Sequence, residues 1–498
     1  MNVNPITRLD YPDPDVIRVE DTYYMVSTTM HFMPGCEILQ SFDLVHWEHV
    51  TYVYETLDHT DAQQLKSGQN IYGQGMWAAS LRYHEGRFYI CFVANDTRKT
   101  YLYTSEKIDG PWKKQLIEGF YHDGSLLFDE DGRNYIVYGN DEIWITELNE
   151  DLTAPKKDGL HRLLVSDHKN PELGYEGSHI QKINGYYYIF LVHSLRDRWM
   201  RTEACFYSDS LEGEFTGGDV LCDDRGYCGQ GVAQGGIVDT PDGKWYAMLF
   251  QDSGAVGRLP ILLPVIWKDH FPVFGQNGHV PEEIEVHSTR PGYIYQPLVG
   301  SDDFCNGLLP RWQFNHDPDP RYYHLDALQG TYTITTREVC TELTQAVNTL
   351  TQRMSYPSCA AEVTVDASAL KEGDVAGLCA LQSCYAAVGI TKHHGKYEVL
   401  MLDKKEDGIL DMTEGTVVES HQMDFRLEAD FCNMKDEARC YYRVNKGDWL
   451  PIGTVHKLYF KLDHFTGCRF GLFCYAAEET GGSACFRDFK YYDVDEIS

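Results

Sequence analysis

The sequence predicts an all-β chain: a five-bladed β-propeller followed by a β-sandwich. Three observations lead there. A hairpin pattern recurs five times up to about residue 270, it then stops, and short strand signals continue toward the C-terminus. Composition agrees, because 34 Tyr and 43 Gly favour short strands and tight turns over helices. With 498 residues the chain exceeds one ordinary domain, and 43% hydrophobic content is enough for more than one core.

Each repeat is an apolar run, a turn with Asp, Asn or Gly, and an aromatic pair leading a second apolar run. The copies read VIRVEDTYYMV, LRYHEGRFYICF, LLFDEDGRNYIVY, HIQKINGYYYIFL and GIVDTPDGKWYAMLF. Alternating side chains around residues that tolerate positive φ specify β-hairpins. The second aromatics, Tyr24, Tyr89, Tyr135, Tyr188 and Tyr246, lie 65, 46, 53 and 58 residues apart. A lone hairpin cannot bury its faces, so units of about 50 residues become four-stranded sheets around an axis. Outer strands show in SFDLVHWEHV, TSEKIDGPWKKQLI and SDSLEGEF, where Trp47, Trp112 and Phe215 follow a turn.

The propeller is expected over 1–298, and RPGYIYQPLVGSDDF leads into a sandwich over 299–498. Strand signals there recur at intervals of about 8–12 residues, which suits two antiparallel sheets. No low-complexity run separates the parts. A close interface is therefore expected, with a sandwich loop closing the propeller mouth.

Lys+Arg total 43 against 75 Asp+Glu, a net charge of −32. Such a surface repels phosphate backbones and anionic lipid, which excludes nucleic acid and membranes as partners. No apolar stretch of about 18 residues predicts a membrane span. MNVNPITRLD lacks a signal-peptide core, so a cytoplasmic protein is expected, or a secreted one whose leader has been removed. The 15 cysteines are scattered without a C-x-x-C pair and read as buried thiols rather than a zinc site or disulfide framework. The sequence leaves room for a homo-oligomer.

In a propeller the innermost strand of each blade lines the channel, so equivalent positions face one mouth. Counting back 12 residues from the later aromatics gives Trp77, Asp123, Glu176 and Gln234; counting back 11 from Tyr24 gives Asp13. Converging acids repel, which keeps one carboxyl protonated while another ionises. Glycoside hydrolysis needs that division between acid and base. A hard cation such as calcium is the rival use of the three acids. Trp77, Phe32 and Arg258 favour a sugar, since a flat face stacks on a pyranose and a guanidinium forks to hydroxyls. Asp302, Asp303 and Asp488 are further calcium candidates at a sheet edge, with turn aspartates as the plainer reading.

These motifs resemble glycoside hydrolase family 43. NPITRLDYPDPDV is similar to that family's opening, MWAASL to its W-A-P-x-L segment, YHDGSLLFDEDG to F-D-x-S-L-F…D-G, and YEGSHIQKINGYYYIF to E-G-P-H…K-x-x-G-Y-Y-Y. WQFNHDPDPRYYHL and LTQAVNTLTQRM resemble the sandwich of its two-domain β-xylosidases and α-L-arabinofuranosidases, implying a concanavalin-like jelly roll. The resemblance implies Asp13 as general base, Asp123 as pKa modulator and Glu176 as general acid. It also implies Arg258 as a sugar contact; Trp77 and Gln234 are expected there by register, and Phe32 as an aromatic of a flanking segment. Ala79 replaces the proline of W-A-P-x-L, and Ala233-Gln234 stand where many members carry a histidine that organises a calcium or water site. No cofactor is then needed for the chemistry, and a structural calcium stays open.

The expected activity is exo-acting, inverting release of terminal β-D-xylose or α-L-arabinofuranose from small oligosaccharides. The alternatives are a non-catalytic carbohydrate-binding protein and a structural scaffold. A retaining fructosidase is disfavoured, because neither its N-D-P-N-G opening nor its R-D-P element is present.

Overall fold

The computed structural model describes residues 2–413 and 415–493. It contains five four-stranded antiparallel sheets, each built from one continuous segment. The innermost strands are Asp15–Val19, Met76–His84, Ser125–Phe128, Glu176–Ile183 and Val232–Asp239. All five repeat tyrosines fall on the second strands of the blades, in Thr22–Val26, Arg87–Ala94, Asn134–Asn140, Tyr186–Ser194 and Trp245–Asp252. Trp47 packs in the cluster shared by blades one and five, and Phe215 in that shared by blades three and four.

Because no blade borrows a strand, the ring is closed by stitching. Residues Asn2–Val3 pair with Glu283–Ile284. Asn4 exchanges two bonds with the Leu262 backbone, at 2.8 and 2.9 Å, and Tyr11 N–H donates to Arg258 C=O at 3.1 Å. The N-terminal segment thus runs along the third strand of blade five, Arg258–Lys268, and delivers Asp13 beside Arg258.

The remaining residues form a sandwich of a nine-stranded and a seven-stranded sheet around one large core that includes Phe425, Leu427, Phe470 and Phe486. The nine-stranded sheet takes in Phe32–Met33 from blade one, which pairs with Phe314–Asn315. The two parts therefore share backbone hydrogen bonds. Among the described residues, all 15 cysteines are free thiols, ten of them buried. No described helix is long and apolar enough to cross a membrane.

A buried ion pair fastens the two parts. Arg353 of the sandwich meets Glu37 of blade one at 2.9 Å, with side chains 4% and 3% exposed. His49 Nδ1 lies 3.0 Å from the other Glu37 oxygen, and the Arg353 guanidinium sits 4.1 Å over the Tyr11 ring. Losing one partner of such a pair strands the other charge in a low-dielectric interior. Arg353→Met is expected to cost about 3–5 kcal/mol, seen as a lower midpoint in denaturant unfolding.

Candidate active site

The five inner strands, or in blades one and three the residues leading into them, each carry one left-handed residue at the channel mouth. Their φ values are +52° at Asp13, +36° at Ala78, +48° at Asp123, +65° at Gly177 and +64° at Gln234. Blades two, four and five reach this conformation through register shifts at Trp77/Ser80, Glu176/His179 and Ala233/Gly236. A bulge bends a strand and re-aims its side chains, and left-handed non-glycine residues cost roughly 1–3 kcal/mol each. Strain repeated around one ring marks a place built for something other than stability. Only glycine fits at 177, where a Cβ would meet Gln234 Cγ at 2.7 Å.

Asp13, Asp123 and Glu176 converge on this mouth. Thr28 Oγ1 accepts the Ala78 N–H at 2.8 Å and donates to Asp13 Oδ2 at 2.5 Å. Arg258 Nη1 reaches both Asp13 oxygens, at 3.2 and 3.5 Å. Asp123 Oδ2 accepts the Gly177 N–H at 2.9 Å. His122 Nε2 lies between the other two acids, 3.6 Å from Asp123 Oδ2 and 3.5 Å from Glu176 Oε2. Asn140 Nδ2 donates to Glu176 Oε2 at 2.7 Å. Glu176 keeps 18% of its side chain exposed, against 6% for Asp123 and 9% for Asp13.

Burial pushes the Asp123 carboxyl up to about 6; the charges of Glu176 and Asp13 add to this, while His122 and the Gly177 N–H work against it. His122 moves the other way, to about 9, chiefly through the charge of Asp123, against its own desolvation. The mouth thus carries a cationic imidazolium among three acids near neutral pH.

Trp77 forms one wall, with its ring 6.2 Å from His122. Facing it is Phe465, from the sandwich loop 458–468, at 5.4 Å. The same ring lies 4.4 Å from the Arg258 guanidinium. A sandwich loop therefore does reach over the mouth. Arg258 is only 2% exposed, and besides Asp13 it contacts the Phe465 C=O at 3.4 Å. Gln234 lies beneath the acids, 5% exposed, where its N–H donates to the buried Glu203 at 2.7 Å.

Phe32 does not belong to the site. It is 1% exposed in the core shared with Leu343, Leu381 and Tyr385, and the Arg469 guanidinium lies 3.5 Å over its ring. Its strand pairs with the sandwich, and its ring packs among sandwich residues.

Of the calcium candidates at the sandwich edge, Asp302 already commits its oxygens to N–H donors, Trp312 Nε1 at 2.8 Å and Phe304 N at 2.7 Å. In the channel, Asp15 meets Arg82 at 2.8 Å and His179 at 3.2 Å. Burial works to raise the Asp15 carboxyl, yet these partners and the Leu81 N–H bring it down to about 2. A guanidinium thus supplies the positive charge at the centre. Above it, Asp13, Asp123, Ser178 and Gln234 line a void of about 10 Å³. That is room for about one water.

Thr28, His122, Asn140 and Phe465 escape a reading of the repeats. His122 directly precedes Asp123, so its adjacency was a usable signal. Thr28 lies just past the second strand of blade one and Asn140 ends that of blade three, neither with a motif of its own, and Phe465 comes from a part with no repeat at all.

Three acids and an arginine at the mouth of a five-bladed propeller, roofed by aromatic rings, define a glycosidase site. Residues 3–272 match the family model of the glycosyl hydrolases family 43, and residues 301–492 match the β-xylosidase C-terminal concanavalin A-like domain. The chain belongs to glycosyl hydrolases family 43 and is a glycosidase. It is 26% identical to a β-xylosidase of Formosa agariphila over 99% of this chain and 89% of that one. It is 24% identical to a non-reducing end α-L-arabinofuranosidase of Bacteroides ovatus, over 82% and 79% of the two chains. Among solved structures, a bifunctional GH43-CE protein of Bacteroides eggerthii superposes with a TM-score of 0.92 at 42% identity, covering 99% of this chain and 63% of that longer one.

Proposed function

We propose that the protein is an exo-acting, inverting pentosidase that removes terminal β-D-xylose or α-L-arabinofuranose from xylan- or arabinan-derived oligosaccharides. The carrying observation is the convergence of Asp13, Asp123 and Glu176 beneath the Trp77–Phe465 walls. The names of the Formosa and Bacteroides ovatus relatives support the pentose class.

In this mechanism Asp13 is the general base. Thr28 and Arg258 fix its carboxylate so that it holds a water against the anomeric carbon. Glu176, the more exposed acid, protonates the departing oxygen, with Asn140 setting its orientation. Asp123 and His122 sit beside Glu176 and set the local charge. Trp77 offers the sugar a flat face, and Arg258 acts through Asp13. Phe465 narrows the mouth from the sandwich side, which favours chain ends over internal linkages.

Nitrophenyl β-D-xyloside and nitrophenyl α-L-arabinofuranoside, assayed side by side, test the reading. Turnover of one or both is expected, with NMR showing the first-formed sugar in the inverted anomeric configuration. Retention would overturn the role of Asp13. Pentose binding without release of reducing sugar would favour the non-catalytic alternative.

A further inference from the structure

Asp10 stands three residues before Asp13 and carries no role in the reaction described above. It is 5% exposed, and its two oxygens serve different parts of the molecule. Oδ1 accepts the backbone N–H of Arg258, in blade five, at 2.8 Å. Oδ2 accepts the N–H of Gly467, two residues beyond Phe465 on the sandwich loop, at 2.7 Å. Its own C=O accepts from Arg353 Nε at 2.9 Å.

The packing around it has been cleared of side chains. A Cβ on Gly257 would lie 2.4 Å from Asp10 Oδ1. A Cβ on Gly467 would lie 2.2 Å from the Val256 C=O and 2.7 Å from Asp10 Cβ. Both backbones therefore approach the carboxylate as only glycine allows. A further bond, from Cys468 N–H to Ala255 C=O at 2.8 Å, runs alongside and fixes the register of the two segments.

We propose that Asp10 is a positioning residue that registers the roof of the active site to its base. One carboxylate sets the backbone from which Arg258 reaches Asp13 and, through its other oxygen, the loop that holds Phe465 against Trp77 and Arg258. The sandwich is then part of the catalytic unit: its loop can only close on a propeller whose Arg258 is in place. A charged acceptor between two N–H groups is the stronger form of such a bond, and the carboxylate gives each N–H an oxygen of its own. The catalytic consequence rests on the pentosidase reading; the structural one does not.

Asp10→Asn tests it, since the amide turns one acceptor into a donor that faces an N–H. With the nitrophenyl pentoside that the enzyme turns over, KM is expected to rise about 5-fold or more as Phe465 loses its seat. The acidic limb of the kcat/KM profile is expected to move by about half a pH unit or more as Arg258 shifts against Asp13. Faster amide exchange across 458–468 is expected in the same variant, and this readout needs no turnover. Arg337→Met, which removes a separate sandwich-to-propeller tie at Gln64 and Leu65, should lower Tm without moving the pH limb. Should Asp10→Asn not fold, Asp10→Glu keeps both acceptors one methylene out of place and carries the same measurements. A folded variant with unchanged loop exchange, KM and pH limb overturns the proposal. Changed loop exchange in a protein inactive on every pentoside would leave the coupling standing and remove the pentosidase reading instead.

Discussion

Glu176→Ala is expected to lose about 10²–10⁴ in kcat on natural oligosaccharides and little on a nitrophenyl glycoside. The reason is the leaving group. A sugar alkoxide must be protonated as it departs, whereas nitrophenolate leaves without a proton. Asp13→Ala should abolish turnover of both, because the water then lacks its base whatever the leaving group. The geometry supports this split. Asp13 is enclosed by Thr28 and Arg258, while Glu176 is held by the Asn140 amide, shares His122 with Asp123 and stays more open to the mouth. Equal losses on both substrates with Glu176→Ala would remove it from the acid role.

Acid sensitivity is the second large effect, and it arises away from the chemistry. His31 of blade one, with His316 and His464 of the sandwich side, forms a cluster around Tyr72 with ring centroids 4.6–5.0 Å apart. All three imidazoles are essentially without solvent contact. Among the described residues only His316 Nε2 has a hydrogen bond, from Ile71 N–H at 3.0 Å. Burial is the first cause in all three; the neighbouring histidines and then Arg469 add to it at His31, His464 adds to it at His316, and Arg469 adds to it at His464, so that His31 and His316 lie well below 6.5 and His464 at about 3.

The unfolded chain takes up these protons near pH 6.5 and the folded chain only far below it. Their stabilisation is therefore complete above pH 6.5 and drains as pH falls beneath that value. At pH 5 each contributes a loss of about 2 kcal/mol. The double variant His31→Phe/His464→Phe keeps the rings and gives up no hydrogen bond. Denaturant melts between pH 5 and 7.5 should show it losing about 4 kcal/mol less than the parent protein over that range. Identical pH dependence in the two proteins would show that the cluster is not what titrates. Since His464 adjoins Phe465, acid should also loosen the roof of the active site before it unfolds the propeller.

The hairpin repeat carried most of the architecture. Strand alternation, turn residues and the tyrosine register are local properties, and five copies leave one way to bury their faces. The same register brought Asp13, Trp77, Asp123, Glu176 and Gln234 to one mouth, with an offset of one residue in blades two and four, where the left-handed residue is Ala78 or Gly177. Phe32 went astray for a reason local patterns cannot hold. An aromatic beside a blade strand looks like a channel residue until a strand from 280 residues later pairs with it.

What the sequence determined by itself was a β-propeller with a trailing sandwich, and three acids on equivalent strands. Both follow from periodicity, which each segment carries without knowledge of the others. What only the tertiary structure decided was the company those acids keep. Arg258 reaches Asp13 because the N-terminal segment is stitched to blade five, and Phe465 roofs the mouth because Asp10 accepts from both sides of the interface. Contacts of that kind join residues hundreds of positions apart through single hydrogen bonds. They leave no period in the chain, and they exist only once the two halves have been packed together.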